Sequence, residues 1–179
     1  MVLHQLNRER GDNRYCGPAV VSFLTGLNTS EVARQIREAT GRRMITGTDV
    51  VELQHVLLFH HMVLEERSIY LPPSSHVNVD IDELAGFAPR INSELVEWQM
   101  KCDRAQYLAA ARPTLAAWLR EHKGMRTSGR VYLLAAGNHW QLITGFRYAC
   151  GQVGEIVSVR DPRVRRRARV SEVYEVIKC

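Results

Sequence analysis

Hydrophobic positions change their spacing about two thirds of the way along the chain. Before residue 130 apolar residues recur every three or four positions, as on one face of a helix, and after it they form short β-prone runs. Runs of that kind, separated by turn residues, are typical of strands. The pattern therefore predicts helices followed by an antiparallel sheet, which is an α+β domain.

Three helices are predicted in the first third of the chain, each from a start signal followed by apolar positions. They begin at Cys16, at about Ser30 and after residues 46–49, and the third continues towards His60. A glycine, Gly41, ends the second helix.

Two further helices are predicted before the sheet. Residues 93–111 have a helical pattern, and Pro113 opens a short helix that closes at Gly124. Four β-prone runs follow, separated by turn residues that contain glycine, asparagine or proline. They cover residues 130–136, 139–146, 155–160 and 164–170.

The composition is that of an ordinary globular protein. A chain of 179 residues with 45% hydrophobic and 24% charged residues is expected to form one domain, residues 1–179. The polar N-terminus is unlike a signal peptide, and the longest apolar run, residues 131–136, is too short to span a bilayer. These features predict a cytoplasmic protein without a membrane segment.

Cysteine usage favours free thiols over a metal site or a disulfide framework. The four cysteines lie far apart, without metal-ligand spacing to one another or to histidines. They are Cys16, Cys102, Cys150 and Cys179. We therefore expect neither a metal ion nor another cofactor.

The net charge of +5 comes from one basic segment, residues 160–169. It holds six arginines and one acid, Asp161, which together also carry +5, so the rest of the chain is neutral. A segment of this kind is most often a solvated surface, and the alternative is a contact for nucleic acid or another acidic partner. The arginines that would make this contact are Arg163, Arg165, Arg166, Arg167 and Arg169.

Cys16 is the main candidate for chemistry. In the first turn of a helix a thiol lies near unpaired N–H groups and the positive end of the helix dipole, which stabilise the thiolate. Pro18 fits this placement, because proline is tolerated in a first helical turn. A thiol nucleophile also needs a base and a group that orients the base.

His139 and Asp161 are the candidates for those two roles. Among seven histidines, His139 alone opens a predicted strand directly after a Gly-Asn turn. Asp161 follows the next predicted strand and precedes Pro162. If these two strands pair as a hairpin, the imidazole and the carboxylate come into contact.

Three short motifs resemble papain-like cysteine peptidases, particularly the branch that contains the double-glycine leader peptidases of bacterial exporters. They are Tyr15-Cys16-Gly17-Pro18-Ala19, the downstream Gly-Asn-His-Trp, and a strand ending in Asp161-Pro162. The resemblance implies a papain-like fold in which a helical half carries the nucleophile and an antiparallel sheet carries the histidine and aspartate. It implies that Cys16 is the nucleophile, His139 the general base and acid, and Asp161 the orienting partner.

The oxyanion hole departs from that family. Papain-like enzymes usually carry a glutamine about six residues before the nucleophile, and Arg10 stands there in this chain. Asn13 has a short amide and is our candidate for the missing donor, and a turn role within residues 11–13 is an equal alternative. Residues 68–111 exceed a minimal core of this type, and we interpret them as an insertion that covers the substrate.

The predicted function is therefore a cysteine peptidase that acts through a thioester on a peptide or isopeptide bond. Amidases, thioesterases and acyl-transfer enzymes use the same site chemistry and remain alternatives. A third alternative is an inactive papain-like module that binds a peptide or an acidic partner through the arginines of residues 163–169.

Overall fold

The structure, a computed structural model, describes residues 1–8, 15–67, 69 and 112–179. Within them, helices from the first third of the chain cover one face of a six-stranded antiparallel sheet, so the predicted α+β class is confirmed. The predicted helix over 93–111 lies outside the described residues, as does the proposed insertion apart from Ile69.

The three predicted N-terminal helices are present, and their ends follow from local capping. Gly26 and Gly41 end the first two helices in the left-handed conformation, and the side chain of Asn28 caps the second. Asp49 and Glu52 form a reciprocal capping box at the start of the third. The helices are α1 (Cys16–Thr25), α2 (Thr29–Thr40) and α3 (Val50–Phe59).

Two short helices precede the C-terminal strands. Helix α4 (Leu115–Glu121) begins at Thr114, whose hydroxyl accepts a hydrogen bond from the Ala117 N–H. Helix α5 (Lys123–Thr127) follows after one residue. The prediction that a single helix closes at Gly124 is wrong, because Gly124 lies inside α5 and the helical turn continues through it.

All neighbouring strands of the sheet are antiparallel, in the order β1-β6-β2-β3-β4-β5. The strands are β1 (Met62–Glu66), β2 (Val131–Ala136), β3 (Trp140–Thr144), β4 (Arg147–Ala149), β5 (Ile156–Ser158) and β6 (Val170–Lys178). β1 and β6, which pair with each other at one edge of the sheet, were not predicted from the sequence.

The predicted strand over 164–170 is wrong. Its backbone forms successive turns, and the carbonyls of Arg166 and Ala168 accept the N–H groups of Ala116 and Leu115 at the start of α4. Those carbonyls therefore satisfy a helix end instead of a sheet ladder. Extended pairing begins at Val170, where β6 starts.

The core lies on both faces of the sheet. Alternate residues of β2 and β3, such as Leu133 and Leu142, pack against α1–α3, whereas Leu134 and Ile143 pack with α4. A strand buried on both faces reads as a continuous apolar run, which explains residues 131–136. No helix among the described residues has the length and apolarity that crossing a membrane requires.

Candidate active site

Cys16 is the first residue of α1 and is half-buried, with a free thiol. The N-cap residue provides no side-chain hydrogen bond to the helix, and the first helical hydrogen bond runs from the Ala19 N–H to the Tyr15 carbonyl. Pro18 has no N–H, so the N–H groups of Cys16 and Gly17 precede that bond. The sulfur therefore lies at a helix start that offers backbone donors and a positive dipole end.

Thr48 connects the first turn of α1 to the beginning of β3. A Cβ placed on Gly17 would lie 2.2 Å from the Thr48 Oγ1, so only glycine allows this close approach. The Thr48 carbonyl accepts a 2.6 Å hydrogen bond from the Trp140 Nε1. The Thr48 Oγ1 itself is buried without a hydrogen-bond partner among the described residues. Sequence analysis used this residue only as part of a cap signal and missed the junction.

His139 directly precedes β3 and is 9% exposed. Its carbonyl accepts the Ala136 N–H at 3.0 Å, and Asn138 makes the turn with φ of 56°. The Nε2 atom is buried and, within the described part of the chain, has no hydrogen-bond partner. Burial and the positive charge of Arg165 lower the pKa of the imidazole below its usual 6.5. The ring is therefore held in the neutral form that can accept a proton.

The hairpin that was to join His139 to Asp161 does not form. β4 lies between β3 and β5, because a two-residue turn after β3 and a six-residue connection after β4 make a three-stranded meander. β3 and β5 consequently run in the same direction. His139 precedes β3 and Asp161 follows β5, which puts the two residues at opposite ends of the meander.

The Asp161 carboxylate is bound to Arg163. It accepts 2.9 Å hydrogen bonds from the backbone N–H, the Nε and the Nη2 of Arg163. These bonds lower the pKa of the carboxyl to about 2. Arg163 also pairs with Glu155 at 2.7 Å. Asp161 therefore stabilises a turn in this structure and does not contact the histidine that it was predicted to orient.

Glu172 is a carboxylate that sequence analysis missed at the His139 end of the sheet. Ala135 on β2 pairs with Glu172 on one side and with Trp140 on the other, so the three residues form one row. The Glu172 Oε2 accepts a 2.9 Å hydrogen bond from the Tyr174 hydroxyl. The alternation of Glu-Val-Tyr-Glu-Val over 172–176 is a strand signal that could have identified this position.

The described residues bring none of the sequence-predicted site residues into hydrogen-bond contact with the Cys16 thiol, His139 included. Asn13 and Arg10, considered for the oxyanion hole, lie outside the described residues, and so does Cys102. Cys150 is buried and Cys179 exposed, both as free thiols. No group of three histidine, cysteine, aspartate or glutamate residues within the described ranges could hold a metal ion.

The candidate groups are thus a thiol at a helix start, packed against the core on the α1–α3 face, and a neutral imidazole at a strand start. The backbone of His139 pairs with Ala136, whose side chain belongs to the core on the α4 face. No hydrogen bond among the described residues joins the thiol to the imidazole, and Thr48 links the elements that carry them. No protein-family model matches the chain, and no curated protein or solved structure shows significant similarity to it.

Proposed function

We propose that this protein is a cysteine-dependent hydrolase that cleaves a peptide or isopeptide bond, with Cys16 as nucleophile and His139 as general base and acid. The observation that carries the proposal is the Thr48 junction. Gly17 packs against the Thr48 side chain while Trp140 donates to its carbonyl, so the residues next to Cys16 and His139 share one anchor.

The reaction follows from the two groups. The neutral imidazole accepts the thiol proton, the thiolate attacks the carbonyl carbon, and the N–H groups of Cys16 and Gly17 donate to the oxyanion. Collapse of the tetrahedral intermediate breaks the C–N bond, and the imidazolium protonates the leaving amine. His139 then takes a proton from water, the hydroxide displaces the sulfur from the thioester, and the proton returns to the thiolate.

The proposal needs no carboxylate beside His139. Burial and the charge of Arg165 disfavour the imidazolium, which keeps the base neutral, and the hydrogen bond between the Ala136 N–H and the His139 carbonyl fixes the backbone. Asp161 is not part of the proposed machinery, because its carboxylate is bound by Arg163.

Alkylation tests whether the thiol is activated. Iodoacetamide is applied to the native protein across pH, and mass mapping identifies the labelled cysteine. We expect Cys16 to be labelled faster than an exposed cysteine at neutral pH. Cys179 is the matched control, because it is exposed but lies outside any helix start. Equal, slow labelling of Cys16 and Cys179 would contradict activation.

A substrate panel tests the reaction itself. Peptide, isopeptide and thioester substrates are compared for the wild type and for Cys16→Ala, His139→Gln and Cys179→Ala. We expect the first two variants to lower kcat by a factor of about a thousand or more, and the third to leave it unchanged. Turnover of thioesters alone would indicate a thioesterase or acyl-transfer enzyme instead of a peptidase. Absence of turnover with every substrate would overturn the proposal.

A further inference from the structure

The arginine loop, residues 163–169, is held firmly although its arginine side chains are exposed. Val164 is buried in the core that includes Leu115 of α4. The Ala168 and Arg166 carbonyls accept bonds of 2.8 and 2.9 Å from the first two N–H groups of α4. A loop anchored at both of these points loses little conformational entropy when it binds a ligand.

The arginines of this loop differ in whether their charge is already used. Arg163 is paired with Asp161 and Glu155, and Arg169 donates to the Arg112 carbonyl. Arg165, Arg166 and Arg167 are exposed, and their guanidinium groups have no ion pair or hydrogen bond within the described residues. The middle of the loop therefore presents three adjacent, uncompensated positive charges.

These three arginines border a cavity at the His139 end of the sheet. Among the described residues, an open cavity of about 540 Å³ is lined by residues 164–168. The loop contacts the turn before His139, since the Gly137 N–H donates to the Arg169 carbonyl at 3.1 Å. Arg165 is also near enough to His139 to lower the pKa of its imidazole.

We propose that Arg165, Arg166 and Arg167 bind an acidic segment of the polypeptide substrate, on the side of the sheet that carries His139. Guanidinium groups bind carboxylates through paired, charge-assisted hydrogen bonds, and three of them suit a short run of aspartate or glutamate residues. The location beside a hydrolytic site rests on the proposed function, whereas the binding of acidic peptide rests on the loop alone.

Three features favour a polypeptide over a nucleic acid. The positive surface is short, because the chain outside residues 160–169 has no net charge, whereas nucleic-acid interfaces are extended and strongly basic. Residues 163–169 include no aromatic side chain on which a base could stack. The neighbouring candidate chemistry acts on acyl groups and not on phosphodiesters.

The test is a binding measurement that needs no turnover. Fluorescence anisotropy is recorded for a labelled peptide rich in aspartate and glutamate, and for the same peptide with asparagine and glutamine, using Cys16→Ala protein. A triple Arg→Gln variant at 165, 166 and 167 is compared with a triple Arg→Gln variant at 43, 120 and 147. The control arginines are exposed too, so both variants lose the same charge.

We expect the acidic peptide to bind more tightly than the amide peptide, and the loop variant to weaken it by about tenfold or more. The control variant should stay within about twofold, because its three arginines lie outside the lining of the cavity. Equal binding of both peptides, or equal loss in both variants, would overturn the proposal. Tighter, loop-dependent binding of a single-stranded oligonucleotide would replace the acidic peptide with a phosphodiester ligand.

Failure of this inference is distinguishable from failure of the proposed function. If the wild type hydrolyses nothing yet binds the acidic peptide through the loop, the loop inference holds and the hydrolase is wrong. If it hydrolyses acidic and amide peptides with the same KM, the hydrolase holds and the loop inference is wrong.

Discussion

The two ends of the β3–β5 meander treat their polar groups in opposite ways. At the end where β5 finishes, the Asp161 carboxylate is satisfied by the backbone N–H and the side chain of Arg163. At the end where β3 begins, the Thr48 Oγ1 and the His139 Nε2 are buried without a hydrogen-bond partner in the described residues.

This difference separates structural polar groups from candidates for function. A buried polar atom without a partner costs about 1–3 kcal/mol, so the two atoms at the end where β3 begins are candidates for a purpose beyond stability. The Trp118 Nε1 is likewise buried without a partner in the described residues, so a missing partner is not by itself a sign of function. A carboxylate that is paired with arginine, such as that of Asp161, needs no such purpose. His139 and Asp161, which each lie beside a turn in the sequence, therefore have different surroundings in the structure.

Among changes at the end of the meander where β3 begins, Gly17→Ala is expected to have the largest effect on stability. The new Cβ would lie 2.2 Å from the Thr48 Oγ1 and 2.6 Å from its Cβ, so α1 or residue 48 must shift. We expect a loss of about 1–3 kcal/mol in unfolding free energy, as for other overpacked sites. Chemical denaturation measures it, and the rate of Cys16 alkylation reports whether the helix start has moved.

Gly124→Ala is the matched control for this substitution. Gly124 also lies in a helix, and a Cβ there meets nothing within 4 Å. We expect this variant to be neutral or more stable by about 0.5–1 kcal/mol, since alanine favours helix. Equal stability of the two variants would show that Gly17 is not pressed against Thr48.

Local signals explain how much of the fold the sequence predicts. Pro18 in the first turn of α1 and the caps Asn28 and Asp49 act within one helical turn, so the three N-terminal helices could be located from sequence. Residues 164–169 could not, because their carbonyls are bound by α4, about fifty residues earlier in the chain. Strands β1 and β6 pair with each other across more than a hundred residues, and neither segment indicates the other locally.

The candidate site was predictable to the same extent. Cys16 begins α1 and His139 directly precedes β3, as their local signals predict, whereas contact between the two side chains stays a prediction. Whether Asp161 contacts His139 could not be predicted from the strand before Asp161. The answer depends on how many strands lie between the two residues, and β4 lies between them. Thr48 was missed because its contacts with Gly17 and Trp140 are long-range in sequence.

Trp140→Phe should have a smaller effect, confined to the Thr48 junction. The phenyl ring fills most of the same volume but cannot donate to the Thr48 carbonyl, which loses a 2.6 Å hydrogen bond. We expect a loss of about 1 kcal/mol in unfolding free energy and a lower kcat with little change in KM. Steady-state kinetics on the best substrate of the panel measures the second effect.

Trp118→Phe is the matched control, because the Trp118 Nε1 is buried without a hydrogen-bond partner in the described residues. This variant removes volume on the α4 face and loses no hydrogen bond of the indole. We expect its kcat to remain at the wild-type value. Equal falls in kcat for both variants would indicate a general packing effect. The hydrogen bond from Trp140 to the Thr48 carbonyl would then have no specific part in activity.

The stability of the protein should depend on His139 below neutral pH. Folding lowers the pKa of the His139 imidazole below 6.5. At pH values between the lowered pKa and 6.5, the imidazole therefore binds a proton more readily in the unfolded chain than in the folded protein. Stability is therefore fully present above about pH 6.5 and falls as the pH decreases below it. Thermal midpoints measured from pH 7.5 to 5 should fall less in His139→Gln than in the wild type.

An exposed histidine provides the comparison for the pH series. His55 lies on the solvent side of α3, and His55→Gln controls for the loss of one histidine from the chain. If His139→Gln retains the full wild-type dependence, the imidazole is not held neutral by the fold.

Asp161→Asn is expected to have the smallest effect on activity and gives the sharpest contrast between the two ends. Its carboxylate stabilises the folded state above the ordinary aspartate pKa, and this contribution is lost as the pH falls from 3.8 towards its folded value of about 2. The variant should therefore lose part of the acid sensitivity of folding. At neutral pH, kcat/KM should stay within about twofold of the wild type, since a residue outside the machinery supplies no transition-state stabilisation. A fall in kcat/KM of a hundredfold or more is the kind of loss that follows removal of a carboxylate that orients a histidine. Such a fall would mean that Asp161 leaves Arg163 and reaches His139 in the working enzyme. The two ends of the meander would then form a single site.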